Sequence, residues 1–195
     1  MESVPADPDT FFTSYLPARF ERAAGGAGPK SSVGSVTARV VGSGEWSLRI
    51  EGGELRVLRG TEDDVMLQVT VTLDDFAVLV REPLEALDAA GRSPIARLGP
   101  LRALAAEPET ARLVRHVPGS VLLVARDGER SHRLLLTPGR RAADLASAEC
   151  TIQCALDDLR AAQSGAVPPM QLFVSGKLRI TGNVQIAMAL AGILM

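Results

Sequence analysis

Leu67–Phe76 reads LQVTVTLDDF, and Cys150–Leu159 reads CTIQCALDDL. In the first stretch Leu67, Val69, Val71 and Leu73 alternate with Gln68, Thr70 and Thr72. That period of two predicts a strand with one apolar face. The Leu-Asp-Asp that follows predicts a helix start, with Asp74 as the N-cap and Phe76, Leu79 and Val80 on an apolar stripe. In the second stretch Cys150, Ile152, Cys154 and Leu156 form the inward face, and Asp157 takes the capping position. One strand-to-helix junction thus occurs twice in the chain.

Working outward, other pairs follow in the same order. Asp7-Pro8-Asp9-Thr10 is echoed by Glu107-Pro108-Glu109-Thr110. Gly44 to Arg49 (GEWSLR) is echoed by Gly128 to Arg133 (GERSHR). Gly91-Arg92 with Gly99 is echoed by Gly176-Lys177 with Gly182. The chain therefore reads as two halves, 1–106 and 107–195. The first carries 11 basic and 15 acidic residues and the second 10 and 8, giving −4 and +2. Opposite signs favour packing of the halves on each other, weakly if the charges are exposed.

Each half reads as strands with flanking helices. Asp9 or Thr10 is the expected N-cap of a first helix bearing Phe11, Phe12, Tyr15 and Leu16, with Pro17 as a kink or stop. Val33–Val41, Trp46–Ile50, Leu55–Leu58 and Val65–Leu73 are expected strands, separated by glycine-rich turns. In the second half Glu109–His116 is an expected helix. Ser120–Ala125, His132–Leu136, the stretch from Cys150 and Lys177–Ile180 are expected strands. The tail from Val184 to Leu194 carries no charge. Pro94 lies between Gly91 and Gly99, where it would leave an edge or broken strand. The fold class is α+β: an antiparallel-rich sheet with helices covering one face, built from two related halves.

Composition narrows the function. Hydrophobic residues make up 46% and charged residues 23%, with net charge −2. That is a globular balance, without the basic excess of a nucleic-acid binder. No apolar run is long enough to span a bilayer, and Met1 to Asp9 shows no secretory leader, so a cytoplasmic location is expected. If Cys150 and Cys154 share a strand, their Cα atoms lie roughly 13 Å apart. A disulfide needs less than about 7 Å. With His116 and His132 distant in sequence, no metal site is expected. Gly25 to Ser31 (GGAGPKS) misses the phosphate-loop pattern, and the sequence lacks Gly-x-Ser-x-Gly, His-Glu-x-x-His and Ser-x-x-Lys. The paired carboxylates Asp74-Asp75 and Asp157-Asp158 are read as helix starts. No catalytic residue, cofactor or enzymatic activity is expected.

The second half, and Ser147 to Leu190 above all, resembles the sterol carrier protein type 2 family. Ala148-Glu149-Cys150-Thr151-Ile152, Asp157-Asp158-Leu159, Phe173, Gly176-Lys177-Leu178-Arg179-Ile180-Thr181-Gly182-Asn183 and Ala187-Met188-Ala189-Leu190 carry the likeness. The glycine-flanked Gly-Lys-Leu-Arg-Ile-Thr-Gly is its most specific part. Trp46 to Gly52 resembles the Trp-strand-glycine segment of the same family, which makes the first half a degenerate copy.

The resemblance implies a non-catalytic module that encloses an apolar tunnel and binds or transfers a sterol, fatty acyl chain, acyl-CoA or similar elongated lipid. An apolar concave site with few polar groups suits such a ligand. The expected lining is Ile152, Leu156, Leu159, Met170, Phe173, Leu178, Ile180, Ile186, Met188 and Leu190, with Trp46 and Phe76 from the first half. For Trp46, Phe76, Phe173, Ile186, Met188 and Leu190 the competing assignment is plain core. Lys177 and Arg179 alternate with apolar neighbours and are expected to face solvent. The expected partner is a hydrophobic small molecule, not a nucleic acid, with transient membrane contact and a partner enzyme as further options. The alternative reading is an accessory interaction module of the same fold whose cavity is filled by side chains.

Overall fold

The computed structural model describes residues 4–24, 30–89, 103–142 and 144–194. The stretch from Gly91 to Gly99, with Pro94, and the residues Gly25 to Pro29 lie outside them.

A helical segment opens the chain: α1 (Pro8–Thr10), a wider π turn (Phe11–Tyr15) and α2 (Leu16–Ala24). The cap is Asp7, not Asp9 or Thr10. Its carboxylate accepts from the Thr10 backbone N–H at 2.8 Å and the Thr10 hydroxyl at 2.7 Å. Pro8 takes the first helical position, where a missing N–H costs nothing. The π turn sits just ahead of Pro17, whose ring also lacks a donor and needs the wider ladder.

Four strands follow: β1 (Ser35–Val40), β2 (Gly44–Glu51), β3 (Glu54–Arg59) and β4 (Val65–Val71). Next come α3 (Leu73–Phe76), a π turn (Ala77–Arg81) and α4 (Glu82–Ala89). The second half runs α5 (Pro108–Arg115), β5 (Val121–Asp127), β6 (Arg130–Pro138), β7 (Cys150–Ala155), α6 (Leu156–Gln163), α7 (Pro169–Val174), β8 (Arg179–Gly182) and α8 (Val184–Leu194). Among the described residues each expected strand forms, with ends shifted by one to a few residues. Thr72, rather than Asp74, caps α3: its hydroxyl accepts from the Asp75 N–H at 3.2 Å. Ala155 stands at the cap of α6 with no side-chain bond, so Asp157 and Asp158 lie inside the first turn, where negative charge suits the helix dipole.

All eight strands form one sheet in the order β3-β2-β1-β4-β6-β5-β7-β8. In the first half β1 and β2 pair antiparallel, and β1 runs parallel to β4. In the second half β5 and β6 pair antiparallel, and β5 runs parallel to β7. The seam is the antiparallel β4·β6 pair, with Val69 opposite Leu136.

Register puts one apolar face along the whole sheet. Val36, Leu48 and Leu67 stand level, as do Val121, Leu136 and Cys150. Trp46 on this face stacks on Phe12 at 4.8 Å, and Phe11 meets Phe76 edge-on at 5.0 Å. These contacts lay the opening helix and α3 on the sheet. Ile186 and Ala187 of α8 are buried on the same core, and the Ala187 N–H reaches the Cys150 sulfur. Each such buried side chain contributes roughly 1.5–3 kcal/mol.

The alternation in β4 does not divide inside from outside, because every residue of the strand is buried. Gln68, on the second face, donates to the Gly139 and Arg141 carbonyls, both at 2.8 Å. The loop after β6 thus folds over it, and its polar atoms are satisfied there.

Candidate functional site

The expected site residues fall into three groups. Trp46 and Phe76 are fully buried in the first-half aromatic cluster with Phe11 and Phe12. Leu156, Ile186 and Leu190 are buried in the common core, where Ile152, Leu159 and Ile180 pack against it half-buried. Ile152 and Ile180 face each other directly across β7 and β8. Leu178 is half-buried beside them. Met170, Phe173 and Met188 are exposed, at 53%, 48% and 58%. Val174 and Val184, which the sequence did not single out, are exposed too.

Local geometry explains this arrangement. α7 ends in a tight turn in which the Lys177 and Leu178 N–H groups both donate to the Leu172 carbonyl, at 2.9 and 3.0 Å. Leu172 is thereby buried while Met170 and Phe173 point away. Gly182 then ends β8 with φ +84°, and a Cβ there would lie 2.3 Å from the Glu149 carbonyl oxygen. The glycine lets α8 turn straight back over β7, and the Asn183 N–H bonds Glu149 O at 2.8 Å. Glu149 is anchored in turn. Its carboxylate accepts from the Ser120 N–H at 2.7 Å and hydroxyl at 2.9 Å, which holds its pKa below the usual range. Paired Ile152 and Ile180, buried Ile186 and an exposed rim of Met170, Phe173 and Met188 make up an apolar ledge.

Electrostatics at the ledge are quiet. Cys150 and Cys154 are free and buried. Burial, with Asp158 nearby, pushes the Cys154 thiol up to about 11. Burial raises the Cys150 thiol as well. Both stay protonated at neutral pH and are poor nucleophiles. Lys177 is tied to Asp158 at 2.9 Å. Among the described residues no group of three His, Cys, Asp or Glu side chains is placed to hold a metal ion. No described helix is long and apolar enough to cross a membrane.

Two polar contacts escaped the sequence reading. His132 has a partner: its Nδ1 lies 3.1 Å from Asp75 Oδ1, with both side chains largely buried. Asp9 takes part in no cap. It accepts from Trp46 Nε1 at 2.9 Å and pairs with Arg59 at 2.6 Å. Each joins residues far apart in sequence, and no local pattern announces such a pair.

Residues 101–195, which include α5 to α8 and β5 to β8, match the SCP-2 sterol transfer family. Comparison with curated proteins gives no match. Among solved structures the chain is similar to Sterol Carrier Protein 2 Like 2 from Aedes aegypti, with 20% identity over 58% of this chain and 98% of that one, at a TM-score of 0.37. It is also similar to Sterol Carrier Protein 2 from Yarrowia lipolytica in its apo form, with 17% identity over 42% and 75% of the two chains and a TM-score of 0.33. For the sterol carrier protein domain 2 of Helicoverpa armigera the identity is 16%, the coverage 62% and 85%, and the TM-score 0.32.

Proposed function

We propose that this protein binds and carries an elongated apolar ligand, such as a sterol, fatty acyl chain or acyl-CoA, without converting it. The observation that carries this reading is the match of residues 101–195 to a sterol transfer family, over the elements that build the apolar ledge. The ledge supports it physically. Apolar area taken from water contributes about 25 cal/mol per Å², and an acyl chain laid along Ile152, Ile180 and Ile186 removes its own surface together with theirs. Met170 and Met188 at the rim are unbranched and adapt to varied shapes. The first half is filled by its own stacked aromatics, so the ligand site is assigned to the second half.

We also infer that the halves derive from one unit. Overlaying β2-β1-β4 on β6-β5-β7 gives two five-stranded sheets that share a strand pair, β3-β2-β1-β4-β6 and β4-β6-β5-β7-β8. In the first sheet β6 takes the place that β8 has in the second. In the second, β4 takes the place of β3. The antiparallel sense agrees at both positions, so each half supplies the strand that the other lacks.

The test of ligand binding is titration of delipidated protein with cis-parinaric acid and with dehydroergosterol. Saturable binding of either at micromolar concentration, weakened by Met188→Trp in a folded variant, is the expected result. No uptake of either probe overturns the carrier reading in favour of an accessory interaction module.

A further inference from the structure

The core face of the second half is closed on one side and open on the other. Leu134, Leu123, Ile152 and Ile180 stand in one row across β6, β5, β7 and β8. Leu134 is buried, and the next three are half-buried. Cover therefore thins towards the edge strand. Helix α6 packs on β5 and β7, with Leu156 buried in the core and Leu159 half-buried against it. Gln163, the last residue of α6, lies three and four residues further along the same stripe, at i+7 from Leu156 and i+4 from Leu159. A polar group thus ends an otherwise apolar stripe. Its Oε1 is buried, and no protein donor reaches it. A buried acceptor without a donor costs free energy, and folded proteins seldom leave one so.

The charges of the surrounding elements are already matched. After β7 the chain has three cations, Arg160, Lys177 and Arg179. Arg160 pairs with Glu82 at 2.7 Å, and Lys177 with Asp158 at 2.9 Å. Arg179 precedes Ile180 on β8, so it belongs to the opposite face of the sheet. We propose that Gln163 Oε1 accepts a hydrogen bond from the hydroxyl of a neutral lipid alcohol, and that the site selects such a ligand over fatty acids and acyl-CoA. The proposal rests on the carrier reading above and narrows its ligand class. An ionised carboxylate or phosphate laid on this row would find no free cation on α6, α7, β8 or α8, and it would meet the lone pairs of Gln163. Taking such a charge out of water unpaired is costly. A hydroxyl is neutral and supplies the one donor that Gln163 lacks.

The test is fluorescence titration of the full, delipidated chain with three probes that share one polyene chain: parinaryl alcohol, methyl parinarate and parinaric acid. At about pH 8 the acid is ionised, the ester is neutral without a donor, and the alcohol is neutral with one. The alcohol is expected to bind about tenfold more tightly than the ester, and the acid more weakly than both. In Gln163→Leu the alcohol is expected to fall to the level of the ester, with ester binding unchanged. The same variant without ligand is expected to melt no lower than the parent, because it removes an unmatched buried acceptor. Gln163→Met, unbranched and a good helix former, is the second variant and is expected to behave alike. Equal binding of alcohol and ester by the parent overturns the proposal. Tighter binding of the acid overturns it too, and would mean that the amide turns its N–H groups to a carboxylate. An alcohol preference that survives in both variants removes Gln163 from the site. Each of these outcomes leaves the carrier reading standing, whereas uptake of none of the three probes overturns that reading and this one with it.

Discussion

Trp46 Nε1 donates to Asp9 Oδ1 at 2.9 Å, across 37 residues of chain. The bond sets the opening helix on β2 and places Phe12 on the indole face. Asp9 is held well below the usual carboxylate range by its hydrogen bonds to Arg59 and Trp46. A carboxylate depressed in the folded state contributes stability above its unfolded pKa and loses it as pH falls through the folded value. Thermal melts are therefore expected to fall below about pH 4, and less steeply in Asp9→Asn. Trp46→Ala is expected to cost about 3–5 kcal/mol by denaturant unfolding. A melt of Asp9→Asn that parallels the parent at every pH would remove Asp9 from the account.

His132 and Asp75 form a clamp between the halves, because Asp75 belongs to α3 and His132 to β6. Asp75 is held at its other oxygen by the Thr72 hydroxyl, at 2.9 Å. A double-mutant cycle of Asp75→Asn and His132→Ala is expected to give a coupling of about 1 kcal/mol. A coupling of zero would mean that the two side chains are merely adjacent.

The thiols give a reporter of opening. Cys154 is raised from 9.0 to about 11, and Cys150 is raised in the same direction. Native protein should therefore react with a thiol reagent at least about 100-fold more slowly than unfolded protein. A thiol raised in the folded state favours folding while protonated, so stability is lost as pH climbs from 9.0 towards about 11. Rapid labelling of native protein would contradict the burial of both.

Gly182 and Gly176 flank β8 and both have positive φ. Their surroundings differ. A Cβ at Gly176 meets nothing within 4 Å, whereas one at Gly182 would strike the Glu149 carbonyl. Gly176→Ala is expected to cost about 1 kcal/mol from the backbone alone. Gly182→Ala, with a backbone clash added, should cost more, about 2–4 kcal/mol in chemical denaturation. Equal costs would show that the Glu149 contact relaxes freely.

Particular residues show what the sequence made legible. The strand at Val65–Val71 stood out because alternation is a local signal, and the fold class followed from the doubled junction at Leu67–Phe76 and Cys150–Leu159. The caps did not follow. Asp, Thr and Ser compete for the same position, and Asp7 and Thr72 took it from Asp9 and Asp74 through geometry one or two residues away. The likeness of Gly44–Arg49 to Gly128–Arg133 marked both hairpin tips but slipped in register. Trp46 pairs with Ala38, whose neighbour on β4 is Val69. Leu134 pairs with Leu123, whose neighbour on β7 is Ile152. On the overlay of the halves proposed above, Leu134 rather than Arg130 would correspond to Trp46. At the ledge, apolar composition gave the residue types, but their division into core and rim depends on the turn at Leu172, which no periodicity encodes.

The β4·β6 seam also bears on synthesis. As the chain leaves the ribosome, β4 emerges and pairs with β1 on one side, while its other edge waits for a strand that lies beyond α5 and β5. Until β6 arrives, a strand buried throughout in the finished protein presents a bare edge, the kind of template that invites pairing with a foreign chain. The protein cannot be completed one half at a time. Its hazardous interval is the delay between translating Val71 and translating Leu134, and a pause in elongation between those residues would lengthen it.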